Sequence, residues 1–212
     1  MTKKNFNERN TEDLVRQHFQ QDPLYNIIKF EEQKSNNSII KECLSKASKN
    51  NTKKPGYPEF IITIPAYPED IIIIECKGNE AYHESSSLDK INDYAVDGVM
   101  HYSKFLNKEF NVWCIAASGQ SKETLKVSNF YLEKNSKKYI SEDKKLIDIF
   151  SYITKIKGDF EAITGLEKER LFWFERVRYQ RFEDVYYQFI NGLIDESPFR
   201  ESMAFAANRK AL

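Results

Sequence analysis

Two short apolar runs end in groups that can do chemistry. Pro58-Glu59-Phe60-Ile61-Ile62 puts a carboxylate at the mouth of the first. Ile71-Ile72-Ile73-Ile74-Glu75-Cys76-Lys77 closes the second with an acid, one spacer and a lysine. Side chains alternate faces along a strand, so Glu75 and Lys77 point one way and Cys76 the other. A run of isoleucines this long reads as a strand buried on both faces, an unusual place for Glu and Lys to follow. Two carboxylates and a lysine are the groups that metal-dependent phosphodiester hydrolysis requires. The acids hold a hard divalent ion, and the ammonium steadies charge that develops on the phosphate.

Read as a hairpin with its turn centred on Tyr67, the two runs bring Glu59 opposite Glu75 at one open end of the sheet. Lys77 then falls one step beyond on the same face. Directly opposed Cβ atoms lie roughly 4.5–5.5 Å apart, close enough for two carboxylates to share an ion and repulsive without one. Mg²⁺ is the expected ion, with Mn²⁺ able to substitute. It would lower the pKa of a bound water and neutralise the scissile phosphate. Lys77 serves such a site as a point charge or as a proton acceptor, and the sequence leaves both open. Each piece also has a plainer reading. Glu-x-Lys at a strand end is commonly a solvated ion pair, and Pro-Glu before a strand is ordinary. Their joint occurrence with the isoleucine run and a following helix favours the site.

The elements that must position these groups follow from periodicity. Thr11 to Phe19 opens as a capped helix with Thr11 as N-cap. Asn26 to Gln33 is a short strand or extended entry. Ser38 to Ala47 carries a helical apolar stripe. Glu59 to Ile64 and Asp70 to Lys77 are strands joined by the connection Pro65 to Glu69. Leu88 to Glu109 is a helix, its apolar positions Leu88, Ile91, Tyr94, Ala95, Val99, Tyr102 and Leu106 close to a 3.6-residue period. Asn111 to Ala117 and Val127 to Glu133 are further strands, and Asp143 to Ile156 is amphipathic and helical. The order predicts a mixed α/β sheet with an antiparallel first pair and a parallel, right-handed crossover next.

Zero net charge over 212 residues excludes global steering toward nucleic acid, so any such surface must be a local patch. No apolar run reaches membrane-spanning length, and the first residues lack the apolar stretch of a signal peptide. The three cysteines, Cys43, Cys76 and Cys114, lack metal-ligand spacing and read as buried thiols of a reducing compartment. The expected location is the cytoplasm, with no membrane partner. Three histidines without ligand spacing argue against a zinc site.

Pro58-Glu59, fifteen intervening residues and Glu75-Cys76-Lys77 together resemble the PD-(D/E)xK nuclease superfamily, with Glu at the first acid where Asp is usual. Further segments resemble the N-terminal nuclease domain of type I and fused nuclease–methyltransferase restriction–modification proteins. They are Glu31-Glu32-Gln33-Lys34-Ser35, His83-Glu84-Ser85, Asp93 to Val99, His101-Tyr102 and Ser118-Gly119-Gln120. The similarity spans about residues 10 to 135. It implies a restriction-endonuclease-like mixed sheet flanked by helices and a Mg²⁺-dependent DNA endonuclease. Glu59, Glu75 and Lys77 match its catalytic positions. An acid on the first helix often completes the metal site in this superfamily, which makes Glu12 a candidate; a Glu placed for the helix dipole is the blander alternative. Relatives also carry glutamine or tyrosine on the helix after the lysine strand, and here that helix offers Tyr94, Asp97, His101 and Tyr102. Asp97 and His101, four apart, can reach one site or form an exposed pair. The chain departs from the family in having no adenine-methyltransferase motif, no Walker A loop and no helicase signature. It is therefore expected to be a separate subunit or a fragment, with a methyltransferase, specificity or translocase subunit as partner.

A basic run including Lys49, Lys53 and Lys54 leads into Pro58 and can hold backbone phosphates or simply be a solvated loop. The nuclease domain is placed at 1–160 and a C-terminal helical extension at 161–212. Aromatics interleaved with arginines between Leu166 and Ile194 suggest a packing face, with a homodimer contact as one outcome. Two other functions fit the pattern: a catalytically silent DNA-binding or assembly subunit that keeps the fold, and a nuclease of DNA repair or recombination.

Overall fold

The computed structural model describes residues 6–49, 55–142, 144–149 and 151–153. A mixed six-stranded sheet runs through it in sequence order: β1 Lys29–Glu32, β2 Phe60–Ile64, β3 Tyr67–Lys77, β4 Asn111–Ser118, β5 Lys126–Leu132 and β6 Tyr139–Ser141. Every neighbouring pair is antiparallel except β3 and β4, which are parallel. Helices α1 Glu8–Gln20, α2 Ser38–Ser45 and α3 Ala95–Leu106 flank it. Among the described residues, no helix is long and apolar enough to cross a membrane.

The sheet owes its depth to the isoleucines. Ile71, Ile72, Ile73 and Ile74 are each at most 1% exposed. Full burial of such a side chain contributes about 1.5–3 kcal/mol. Together they outweigh the several kcal/mol that seating a charged pair in the interior costs. On one face Ile61, Ile71, Ile73, Val112 and Cys114 pack with Ile40 and Leu44 of α2 and Val99 of α3. Ile72 and Ile74 point to the opposite face. There Phe19 of α1 meets Phe30, Phe30 meets Phe60, and Trp113 meets Tyr152 in edge contact.

The β2–β3 register is the expected one over most of its length: Phe60 lies against Ile74, Ile61 against Ile73 and Thr63 against Ile71. The connection is shorter than the Pro65–Glu69 segment expected for it. β3 begins at Tyr67, and the register shifts between Thr63 and Ile64 to close the turn. An irregularity of this kind takes up an extra residue without disturbing the pairing beyond it.

Two helix boundaries also differ from expectation. α1 starts at Glu8 and not after Thr11: Asn7 is the N-cap and accepts a hydrogen bond from the Arg9 N–H. Thr11 is buried inside the helix, its hydroxyl donating between the carbonyls of Lys77 (3.1 Å) and Gly119 (2.8 Å). α3 starts at Ala95 and not at Leu88. Leu88 has a left-handed φ of 55°, which no α-helix accommodates. Buried Asp97 fixes this segment as a loop by accepting from the Ser85 N–H, the Ser85 hydroxyl and the Lys90 N–H. Of the helix expected over 143–156, residues 144–148 are irregular and helical geometry begins at 149. The helical extension expected over 161–212 lies outside the described residues.

Candidate metal centre

The end of β3 carries Glu75, which is 1% exposed. Its Oε1 accepts from the ammonium groups of Lys49 and Lys77, the latter at 3.2 Å. Its Oε2 is buried and makes no hydrogen bond among the described residues. A buried acceptor without a partner costs about 1–3 kcal/mol, and more when charged, so an atom in that condition calls for an explanation. A ligand atom awaiting a cation is one.

Lys77 ties this strand end to α1 by donating to Glu8 Oε1 at 2.8 Å. Burial pulls the Lys77 ammonium toward neutrality, but Glu75 and Glu8 outweigh it and its pKa lies above the ordinary value. In the metal-free protein Lys77 is thus held as a cationic donor. The close approach of α1 depends on Gly78, where a Cβ would stand 2.9 Å from the Glu8 nitrogen.

Glu59 immediately precedes β2, and its carbonyl accepts from the Gln33 N–H at 3.0 Å. Phe60 pairs with Ile74, so Glu59 stands just before the paired strand, and its carboxyl feels the charge of Glu75. Carboxylate oxygens of Glu8, Glu12 and Glu59 all lie within 4.8 Å of one another. Burial, then the charges of Glu75, Glu12 and Glu8, push the Glu59 carboxyl up to about 7. Burial and Glu8 also raise Glu12. Carboxylates gathered at this spacing repel unless a cation or protons intervene. All the donors are hard oxygens, as Mg²⁺, Ca²⁺ or Mn²⁺ require. The residues present thus fit a hard divalent ion.

Glu59, Glu75, Lys77 and Glu12, all expected from the sequence, are brought to one place. Glu8 was not foreseen. It lies one helical turn before Glu12 on the same face, but a helix started at Thr11 left it outside. The remaining candidates separate. Tyr102 sits beside the centre, its ring 4.7 Å from the Lys49 ammonium, and its hydroxyl donates to the Tyr57 carbonyl at 3.1 Å. His101 points to the Ala47 carbonyl at 3.3 Å, which requires the proton on Nε2. Asp97, engaged with Ser85 and Lys90, does not share that contact. Tyr94 lies in edge contact with Tyr82. Lys49 is 13% exposed at its side chain and paired with Glu75. Lys53 and Lys54 fall outside the described residues.

Near the same end of the sheet, His83 bridges two strands through Ser118 Oγ (2.8 Å) and Ser128 Oγ (2.9 Å). Burial first, then Lys126 and Lys144, lower its pKa to about 4. The unfolded chain takes up a proton near pH 6.5, whereas the folded state does not until near pH 4. Stability linked to His83 is therefore full above about pH 6.5 and is lost as pH falls toward 4. The loss is about 2 kcal/mol after allowing for solvent screening. Urea unfolding of wild type and His83→Gln between pH 7 and 4 is expected to show this slope in the stability difference between the two proteins.

Comparison with models of protein families, with curated proteins and with solved structures returns no match. What fold and geometry define is a mixed α/β protein with a carboxylate–lysine centre at the end of a buried strand.

Proposed function

We propose that the chain is a divalent-metal-dependent DNA endonuclease, acting in the cytoplasm as part of a restriction–modification system. The observation that carries the hydrolytic reading is the gathering of Glu8, Glu12 and Glu59 beside Lys77 and Glu75, one of whose buried carboxylate oxygens has no hydrogen bond among the described residues. The assignment to restriction–modification rests on the sequence resemblance, carried to the positions Glu59, Glu75 and Lys77.

Glu8, Glu12 and Glu59, whose carboxylate oxygens are gathered, would hold the ion, with Glu75 Oε2 as a further ligand. Bound Mg²⁺, or Mn²⁺ in its place, would supply Lewis acidity toward a phosphate oxygen and toward water. Lys77 donates a hydrogen bond to the oxygen on which negative charge develops as the phosphodiester is attacked. Its ammonium is already fixed by Glu8 and Glu75, so little reorganisation is needed at the moment of reaction. Recognition of a DNA sequence would come from a partner subunit of the methyltransferase, specificity or translocase kind. Lys53 and Lys54 would add phosphate contacts whose strength falls with salt.

The test is incubation of supercoiled plasmid with the purified chain and Mg²⁺. Nicking that EDTA abolishes supports the reading. Binding of the plasmid without nicking under Mg²⁺ or Mn²⁺ would favour a silent DNA-binding subunit instead.

A further inference from the structure

Lys49 lies beyond the end of α2, in a stretch whose lysines suggested phosphate contacts, yet its ammonium is turned inward onto Glu75 Oε1. Three features fix it there. The ring of Tyr102 faces the ammonium at 4.7 Å, a cation–π distance. The Tyr102 hydroxyl is itself anchored on the Tyr57 backbone, donating to the carbonyl at 3.1 Å and accepting from the N–H at 3.2 Å. The backbone of α3 closes over the pair at Gly98. A Cβ there would stand 2.9 Å from the Lys49 Nζ and 3.0 Å from the Glu75 carboxyl carbon.

Together with Lys77, this contact commits Glu75 Oε1 to two ammonium groups and leaves Oε2 without a hydrogen bond among the described residues. A carboxylate free to rotate could offer either oxygen. Here two ammonium groups, Lys77 on the strand and Lys49, both hold Oε1 and oppose that rotation.

We infer that Lys49 is a positioning residue for the metal centre: it holds Glu75 by Oε1 so that Oε2 is presented to a divalent cation. The inference rests on the reading of this centre as a cation site. Residues that orient a metal ligand typically change affinity 10–100-fold when removed.

The experiment is a Mn²⁺ titration of the metal-free full chain, followed by calorimetry and by the EPR signal of free Mn²⁺. It compares wild type, Lys49→Met and Gly98→Ala, each checked for folding by circular dichroism. Gly98→Ala keeps every charge and favours the helix, yet its methyl must push the Lys49–Glu75 pair aside. If Lys49→Met does not fold, this variant decides alone. Binding at least tenfold weaker in the folded variants than in wild type is the expected result. Binding in the variants equal to or tighter than that of a wild type that does bind Mn²⁺ would overturn the positioning role and leave the metal centre standing. A wild type that binds no Mn²⁺ would overturn both.

Discussion

Replacing Lys77 by methionine is expected to slow Mg²⁺-dependent plasmid nicking by about 10²–10³-fold, the effect of deleting one donor aimed at developing charge. Methionine keeps the unbranched stem and removes only the ammonium. The loss should fall on the rate at saturating Mg²⁺. Lys77 contacts Glu8 and Glu75 through the oxygens labelled Oε1, so Oε2 of Glu75 stays available to an ion. Removal of a positive charge from an acidic cluster favours a cation, whereas loss of one of the two ammonium groups on Glu75 Oε1 opposes it. Nicking lost at Mg²⁺ concentrations that saturate the variant is therefore the predicted result. Breaking a buried pair also destabilises, by about 3–5 kcal/mol when both partners are fully enclosed. Lys77 is 13% exposed and Glu8 39%, so the lower end of that range applies. Nicking assays at 20 °C alongside urea unfolding separate the two effects.

Glu59→Gln is expected to change stability with a sign that depends on pH and on metal. In the metal-free protein the Glu59 carboxyl is raised to about 7, above the ordinary value of 4.5. Between these values the folded state holds a proton that the unfolded state has released. Raising pH through that window therefore costs stability, and the full cost stands above pH 7. Its size is about 2 kcal/mol once partial exposure is allowed for. Glutamine carries no charge, so in EDTA at pH 8 the variant should be the more stable protein by that amount. His83 acts in the opposite direction over much of the same range, so the quantity to read is the difference between wild type and variant. Adding Mn²⁺ should reverse the order. A ligand at a hundred times its Kd stabilises the protein that binds it by about 2.7 kcal/mol. The variant, with one anionic ligand fewer, should gain much less.

The central geometry was legible because it rests on local rules. Strand alternation set Glu75 and Lys77 on one face, and a turn centred on Tyr67 set Phe60 against Ile74. That register survives a turn of different length because the shift falls at Thr63 and Ile64, well away from Glu59. The helix starts were not legible for a definite reason. Leu88 and Ile91 continue the apolar spacing of α3, but the bonds from Asp97 to Ser85 and Lys90 define the loop, and such contacts leave no periodic trace. At α1, Thr11 has the chemistry of a cap, and so does Asn7. Burial of Thr11 against the Lys77 and Gly119 carbonyls is a tertiary fact that decides between them. Glu8 was lost with that boundary. Lys49 was visible as a charge but not as a contact, since its place on Glu75 depends on Tyr102 and on the bare backbone at Gly98.

The most direct measurement is the anomalous difference map of a crystal soaked in Mn²⁺. The predicted result is a peak coordinated by Glu59 and Glu75 Oε2, with Glu12 completing the protein ligands. A well-ordered site without that peak at saturating Mn²⁺, or a peak whose ligands exclude both Glu59 and Glu75, would contradict the account.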